Sequence, residues 1–135
     1  MAATPSPNDL YTYAATVDRV VDGDTCVLLL NLGFDILLRH SCRLYGINAP
    51  EHGTEAGDAA KAYLIAMLPP GTEVIVKTIK DASEKYGRIL GVIVIPEKKA
   101  VKKTKTAAVP AMVVNDHLVL MGFALPWDGK GQRPV

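Results

Sequence analysis

The sequence predicts one mainly β domain of the α+β class, a small barrel carrying two helices, and three observations support this. Runs of β-branched and aliphatic residues, broken by turn signals, fill residues 12–45 and return at 73–95. One stretch, 54–68, switches to helical spacing. The 135 residues, 49% hydrophobic and 21% charged, are enough for one core and do not match a disordered composition.

Taken in order, residues 1–10 carry small polar residues and prolines and read as a flexible leader. Strands are expected near 12–21 and 24–30, on either side of Asp22-Gly23-Asp24, a tight turn or bulge in which glycine accepts positive φ without a Cβ clash. Asn31-Leu32-Gly33 is a second turn. From Ile36 to Tyr45 the chain alternates, with Ile36, Leu38, Cys42 and Leu44 expected in the core and Arg39, Ser41 and Arg43 on the opposite face. A hairpin centred near residue 34 would set Cys26 across from Cys42, as two small core residues.

Thr54 is the expected N-cap of a helix in which Ala56, Ala60, Tyr63, Leu64 and Met67 share a face, and Pro69-Pro70-Gly71 stops it. Strands follow at Glu73–Ile79 and Arg88–Ile95, with a loop at Ser83–Gly87. Pro96–Pro110 lacks apolar periodicity and holds Lys98, Lys99, Lys102, Lys103 and Lys105. It reads as a mobile hairpin extension, either simply solvated or an arm that follows phosphates. A short apolar run, Ala111–Val114, leads to a second helix, with Asn115 as its expected cap and Gly122 as its stop. Residues 11–127 thus form the domain, and 128–135 a loose tail. About five strands, with a helix after the third and a short C-terminal helix, describe a Greek-key barrel of the OB type.

Bulk properties narrow the function. A net charge of +1 argues against a polyanion binder that relies on charge alone, so phosphate recognition must be local. The spacing of Cys26 and Cys42 matches no zinc pattern. No apolar run reaches the roughly 20 residues that span a bilayer, and no signal peptide opens the chain, so a cytoplasmic protein with reduced thiols is expected.

Four segments could carry chemistry. Val21-Asp22-Gly23-Asp24-Thr25 offers short carboxylates on a turn, the oxygen donors that hard cations prefer. Arg43-Leu44-Tyr45-Gly46-Ile47-Asn48-Ala49-Pro50-Glu51 sets a guanidinium able to grip phosphate before a carboxylate able to deprotonate water. Glu84-Lys85-Tyr86-Gly87-Arg88 supplies a second arginine, and two guanidinium groups flanking one phosphate would neutralise a pentacoordinate transition state. Val114-Asn115-Asp116-His117-Leu118 reads mainly as a helix cap. His40 and His117 read as structural, and His52, next to Glu51, reads as a surface residue that could at most touch a leaving group.

In this order the segments resemble the staphylococcal nuclease (thermonuclease) family, over residues 14 to 126. The resemblance implies an OB barrel and a Ca²⁺-dependent endonuclease acting on DNA and RNA, cutting the P–O5′ bond to leave 3′-phosphates. By position, Asp24 matches a carboxylate metal ligand, Asn48 stands where the family usually has a second aspartate, and Ala49 stands where a backbone carbonyl completes the shell. Arg43 and Arg88 match phosphate-binding arginines, Glu51 the general base, and Lys85 and Tyr86 the nucleotide pocket. Asn48 removes a full negative charge, so weaker or altered ion binding is expected. The family's long loop is short here, from His52 to Gly57. Trp127 replaces the tyrosines of the usual C-terminal segment, either as a tail anchor or as a stacking surface for bases. The competing expectation is a non-catalytic OB module that binds single-stranded nucleic acid. A pure protein-interaction domain has no support in these residues.

Overall fold

The computed structural model describes residues 10–79, 87–96 and 111–127. Three long strands come first: β1 (Thr12–Asp22), β2 (Thr25–Gly33) and β3 (Ile36–Leu44). After a two-residue β4 (Ile47–Asn48) comes the helix α1 (Glu55–Met67), then β5 (Glu73–Thr78) and β6 (Ile89–Ile95). The short β7 (Met112–Val113) runs into α2 (Val114–Leu120), and β8 (Leu125–Pro126) pairs antiparallel with β4. The main sheet runs β3-β2-β1-β5-β6-β7, and parallel pairing of β3 with β6 closes its first five strands into the OB-type barrel that the sequence predicts.

Strand β1 serves two neighbours, pairing with β2 along its length and with β5 over Thr12–Thr16. Two register shifts, between Val17 and Arg19 and between Val20 and Asp22, bend it enough to do so. The barrel interior holds Val17, Leu28, Leu44, Val76 and Ile93, against which pack Leu64 of α1, its C-cap residue Leu68, and Leu118 of α2. Thr54 caps α1 as expected, its hydroxyl accepting from Gly57 N at 3.0 Å. Among the described residues, no helix is long and apolar enough to cross a membrane.

Three expectations need correction. Gly23 does not adopt positive φ. Its need is for space, since a Cβ there would lie 2.8 Å from Ala60 Cβ and 3.0 Å from Ala49 Cβ. Ile36 and Leu38 are exposed rather than in the core, because β3 meets β6 only over Cys42–Leu44 and the hairpin end overhangs the barrel. Asn115 does not cap α2. The N-cap is Val113, with no side-chain hydrogen bond, and Asn115 sits buried inside the helix. The lysine-rich segment lies outside the described residues, apart from Pro96.

Cys26 and Cys42 do face each other across the β2–β3 ladder, free and fully buried. Burial pushes the Cys42 thiol up to about 12. Cys26 is raised by burial first and by its neighbour Cys42 second. Both thiols therefore keep their protons in the folded chain, while the unfolded chain ionises them from about pH 8.5 upward. The unfolded state then binds fewer protons, so stability present below that pH is lost as pH rises toward the folded values. Urea midpoints should fall between pH 8 and 10, roughly, in the wild type and fall less in Cys26→Ala/Cys42→Ala. Equal slopes in the two proteins would refute this coupling.

Candidate functional site

The turn between β1 and β2 brings Asp24 to one end of the barrel, where it is 6% exposed. Gly23 lets this turn press against Ala60 of α1 and against Ala49. Contact with Ala49 allows its backbone N–H to donate to Asp24 Oδ2 at 3.0 Å. The Thr25 hydroxyl donates to Oδ1 at 3.0 Å. Both carboxylate oxygens are thereby oriented, and each keeps a second lone pair for another partner.

Arg43 leaves β3 beside this carboxylate. Although it lies on the strand face opposite the core, Arg43 is only 8% exposed. Its Nη2 lies 3.5 Å from Asp24 Oδ2 and donates to Asn48 Oδ1 at 3.2 Å. Its Cζ sits 5.1 Å from the centre of the Trp127 ring. A buried guanidinium is tolerable only with such partners, because an unpaired buried charge costs several kcal/mol. Trp127 is in turn anchored through its backbone N–H, which donates to Gly46 O at 2.9 Å. Tail anchoring is therefore seen directly, while the cation–π contact with Arg43 carried no signal in local sequence.

Arg88, just before β6, donates from Nη1 to Thr25 Oγ1 at 3.3 Å. Thr25 thus links the second arginine to Asp24, a connection that motif reading missed. The VDGDT segment had placed it beside the carboxylate without assigning it a role. Glu51 reaches the same end by a different route. Its carbonyl accepts from Thr54 Oγ1 at 2.7 Å and from Thr54 N at 3.3 Å, while its side chain is exposed. Gly57 packs so closely that a Cβ would overlap the Glu51 carbonyl oxygen. The first turn of α1 therefore pins the Glu51 backbone two residues beyond the Ala49 amide that donates to Asp24. His52 Nδ1 lies 3.5 Å from Asp22 Oδ1, an exposed pair at the rim. His117 accepts or donates to Tyr63 Oη at 2.7 Å and packs structurally, away from these groups.

Asp24, Asn48, Arg43 and Arg88 form one connected network, and Ala49 and Glu51 adjoin it. Lys85 and Tyr86 lie outside the described residues. Among the described residues, no three His, Cys, Asp or Glu side chains cluster as a metal cage. The donor set consists of one carboxylate, the Asn48 amide oxygen and the Ala49 carbonyl. These hard oxygens fit an oxygen-ligated cation such as Ca²⁺, which also takes water and phosphate oxygens. A single formal negative charge, with Arg43 Nη2 at 3.5 Å, fits it weakly.

Residues 41–128, more than half of the chain, match the family model described as "Staphylococcal nuclease homologue". That span includes Arg43, Asn48, Ala49, Glu51 and Arg88, while Asp24 lies before it. The chain is also similar to "Endonuclease YhcR" of Bacillus subtilis (strain 168), at 36% identity over 93 residues. The match covers 61% of this chain and about 7% of the relative's length.

Proposed function

The chain belongs to the staphylococcal nuclease homologue family, and on that premise we propose that it is a divalent-cation-dependent nuclease hydrolysing phosphodiester bonds of DNA and of RNA. The observation that carries this reading is the joining of both arginines to a single buried carboxylate: Arg43 contacts Asp24 directly and Arg88 contacts it through Thr25. Pure strand binding has no need for that arrangement. Phosphoryl transfer does, because negative charge accumulates on the equatorial oxygens as the water attacks.

In the proposed reaction, Asp24, Asn48 Oδ1 and the Ala49 carbonyl would hold Ca²⁺, whose charge would supply Lewis-acid polarisation of the phosphate. Arg43 and Arg88 grip the same phosphate from two sides. The Glu51 carboxylate takes a proton from water, and the hydroxide oxygen bonds to phosphorus. The P–O5′ bond breaks, the 5′-oxygen leaves as a hydroxyl after gaining a proton from solvent, and a 3′-phosphate remains. Lys85 and Tyr86 would line the nucleotide side. Excess Mg²⁺ or Mn²⁺ should support less turnover than Ca²⁺, whose tolerance of irregular oxygen shells suits a site with one charged donor.

The competing reading, an OB module that binds single strands without cutting, draws support from Asn48, whose amide oxygen accepts from Arg43 where a second carboxylate would add charge. An ion series on single-stranded DNA, duplex DNA and RNA separates the two, with Glu51→Gln as the control for contaminating nuclease. The expected result is cleavage that a chelator abolishes and that Glu51→Gln lowers by about 10³-fold, within the range for loss of a general base. Asn48→Asp should lower the Ca²⁺ concentration needed. Strand binding without cleavage under every ion would establish the module instead.

A further inference from the structure

The overhanging β2–β3 hairpin combines features that folding alone does not explain. At its tip Phe34 and Asp35 both adopt positive φ, 54° and 62°. That is a two-residue turn of the kind that usually carries Asn-Gly, and a bulky residue there is strained. Phe34 is also 97% exposed, and Ile36, Leu37 and Leu38 follow it, all exposed. Beside them runs an open edge, since among the described residues nothing pairs with the outer side of β3 from Ile36 to Ser41. Long apolar edges are ordinarily blunted by charge, proline or a covering element. We propose that this edge is a self-association surface, at which β3 of two copies of the chain pairs antiparallel about a two-fold axis at Leu37.

Backbone direction selects which residues can pair. Leu44 N donates to Asp24 O, toward β2, and Tyr45 N donates to Gly91 O, toward β6. Along β3, even-numbered residues therefore turn their N–H and C=O groups to β2, and odd-numbered ones turn theirs to the open edge. A symmetric ladder built on those groups must pair odd with odd or straddle an even residue. Centring it on Arg39 opposes two guanidinium groups, and Asp35, a turn residue with positive φ, cannot centre a ladder. Centring it on Leu37 sets Leu37 against itself and leaves the turn residue Asp35, one position before the ladder, near Arg39 of the second copy, twice by symmetry. The same register faces Ile36 with Leu38 of the second copy and carries the Phe34 turn past the end of the ladder toward His40. Ile36, Leu37 and Leu38 of each copy then meet apolar partners, and each charge meets its opposite.

Arg39 is available for this exchange, lying 3.7 Å from Asp18 in an exposed pair. Nucleic acid suits the edge less well, because Asp35 cancels Arg39 and leaves no excess positive charge at the tip. Leu37 is six residues from Arg43, roughly 20 Å along an extended strand, so pairing leaves the Asp24 network open. The interface is short, and a dissociation constant on the order of tens of micromolar is expected.

Sedimentation velocity of the purified chain from about 1 to 500 µM should show the mass rising from monomer toward dimer. Asp35→Arg and Arg39→Asp should each raise the dissociation constant about tenfold, through lost attraction and new like-charge contacts. The double swap should return it to near the wild-type value, with circular dichroism confirming folding of all three. Leu37→Cys should form a symmetric disulfide on mild oxidation, whereas Ile65→Cys, exposed on α1, should not. A wild-type chain that stays monomeric throughout, a double swap that fails to restore association, or no cross-link at residue 37 would overturn the proposal. If the monomeric chain instead loses DNA affinity on Phe34→Ser, the hairpin belongs to nucleic acid and self-association is rejected.

Discussion

Asp24→Asn is expected to lower kcat/KM for cleavage by at least about 10³-fold, a loss of roughly 4 kcal/mol in transition-state stabilisation. The substitution preserves shape and removes the one formal negative charge among Asp24, Asn48 and the Ala49 carbonyl. It also reverses part of the local hydrogen bonding. The carboxylate accepts from the Thr25 hydroxyl and the Ala49 amide, with Arg43 Nη2 at 3.5 Å. An amide must turn its NH₂ toward one of these donors. Arg43 keeps Asn48 Oδ1 and the Trp127 face, so folding survives with a cost of about 1–3 kcal/mol. Single-turnover cleavage beside urea unfolding reads both quantities. Activity within tenfold of wild type, in a folded variant, would remove Asp24 from the ion site and leave it a structural partner of Arg43.

Asn115→Ala should cause the largest loss of stability, about 3–5 kcal/mol, or roughly 10–15 °C in Tm. Asn115 Oδ1 accepts from Ile93 N at 3.1 Å, and Nδ2 donates to Tyr45 O at 2.9 Å and Gly91 O at 3.1 Å. Truncation strands the Ile93 N–H and the Tyr45 carbonyl at the junction of α2, β6 and the turn after β3, while Gly91 O keeps its bond from Tyr45 N at 2.8 Å. Each orphaned buried group costs about 1–3 kcal/mol. A helix cap, the role that local sequence predicts, is worth typically about 1 kcal/mol. Thermal unfolding thus separates the two roles, and a drop of only a few degrees would return Asn115 to the status of a cap. Because Tyr45 and Gly91 flank the segments that carry Arg43 and Arg88, the same variant should also weaken phosphate binding.

These two residues show how legibility divides. Asp24 was readable because its neighbours in sequence, Gly23 and Thr25, are its neighbours in space, and because the motifs resemble a known family in order. Asn115 was misread because its partners lie 22 to 70 residues away. The Asx-type signal before an apolar run is real, yet a buried amide bonded to β6 and to the turn after β3 outcompetes it.

By itself, the sequence determined the strand and helix periods, the Thr54 cap, the stops at Pro69 and Gly122, the pairing of Cys26 with Cys42, and the candidates Asp24, Arg43, Glu51 and Arg88. Each follows from local chemistry, namely side-chain alternation, proline and glycine backbone limits, and short-range capping. Only the tertiary structure decided where the barrel ends, and so why Ile36 and Leu38 emerge into solvent although their period matches that of Cys42 and Leu44. It also decided that Arg43 is buried between Asp24, Asn48 and Trp127, and that Thr25 joins the two arginines. Periodicity reports which face a residue takes, whereas closure of β3 on β6 sets how far along the strand that face stays covered.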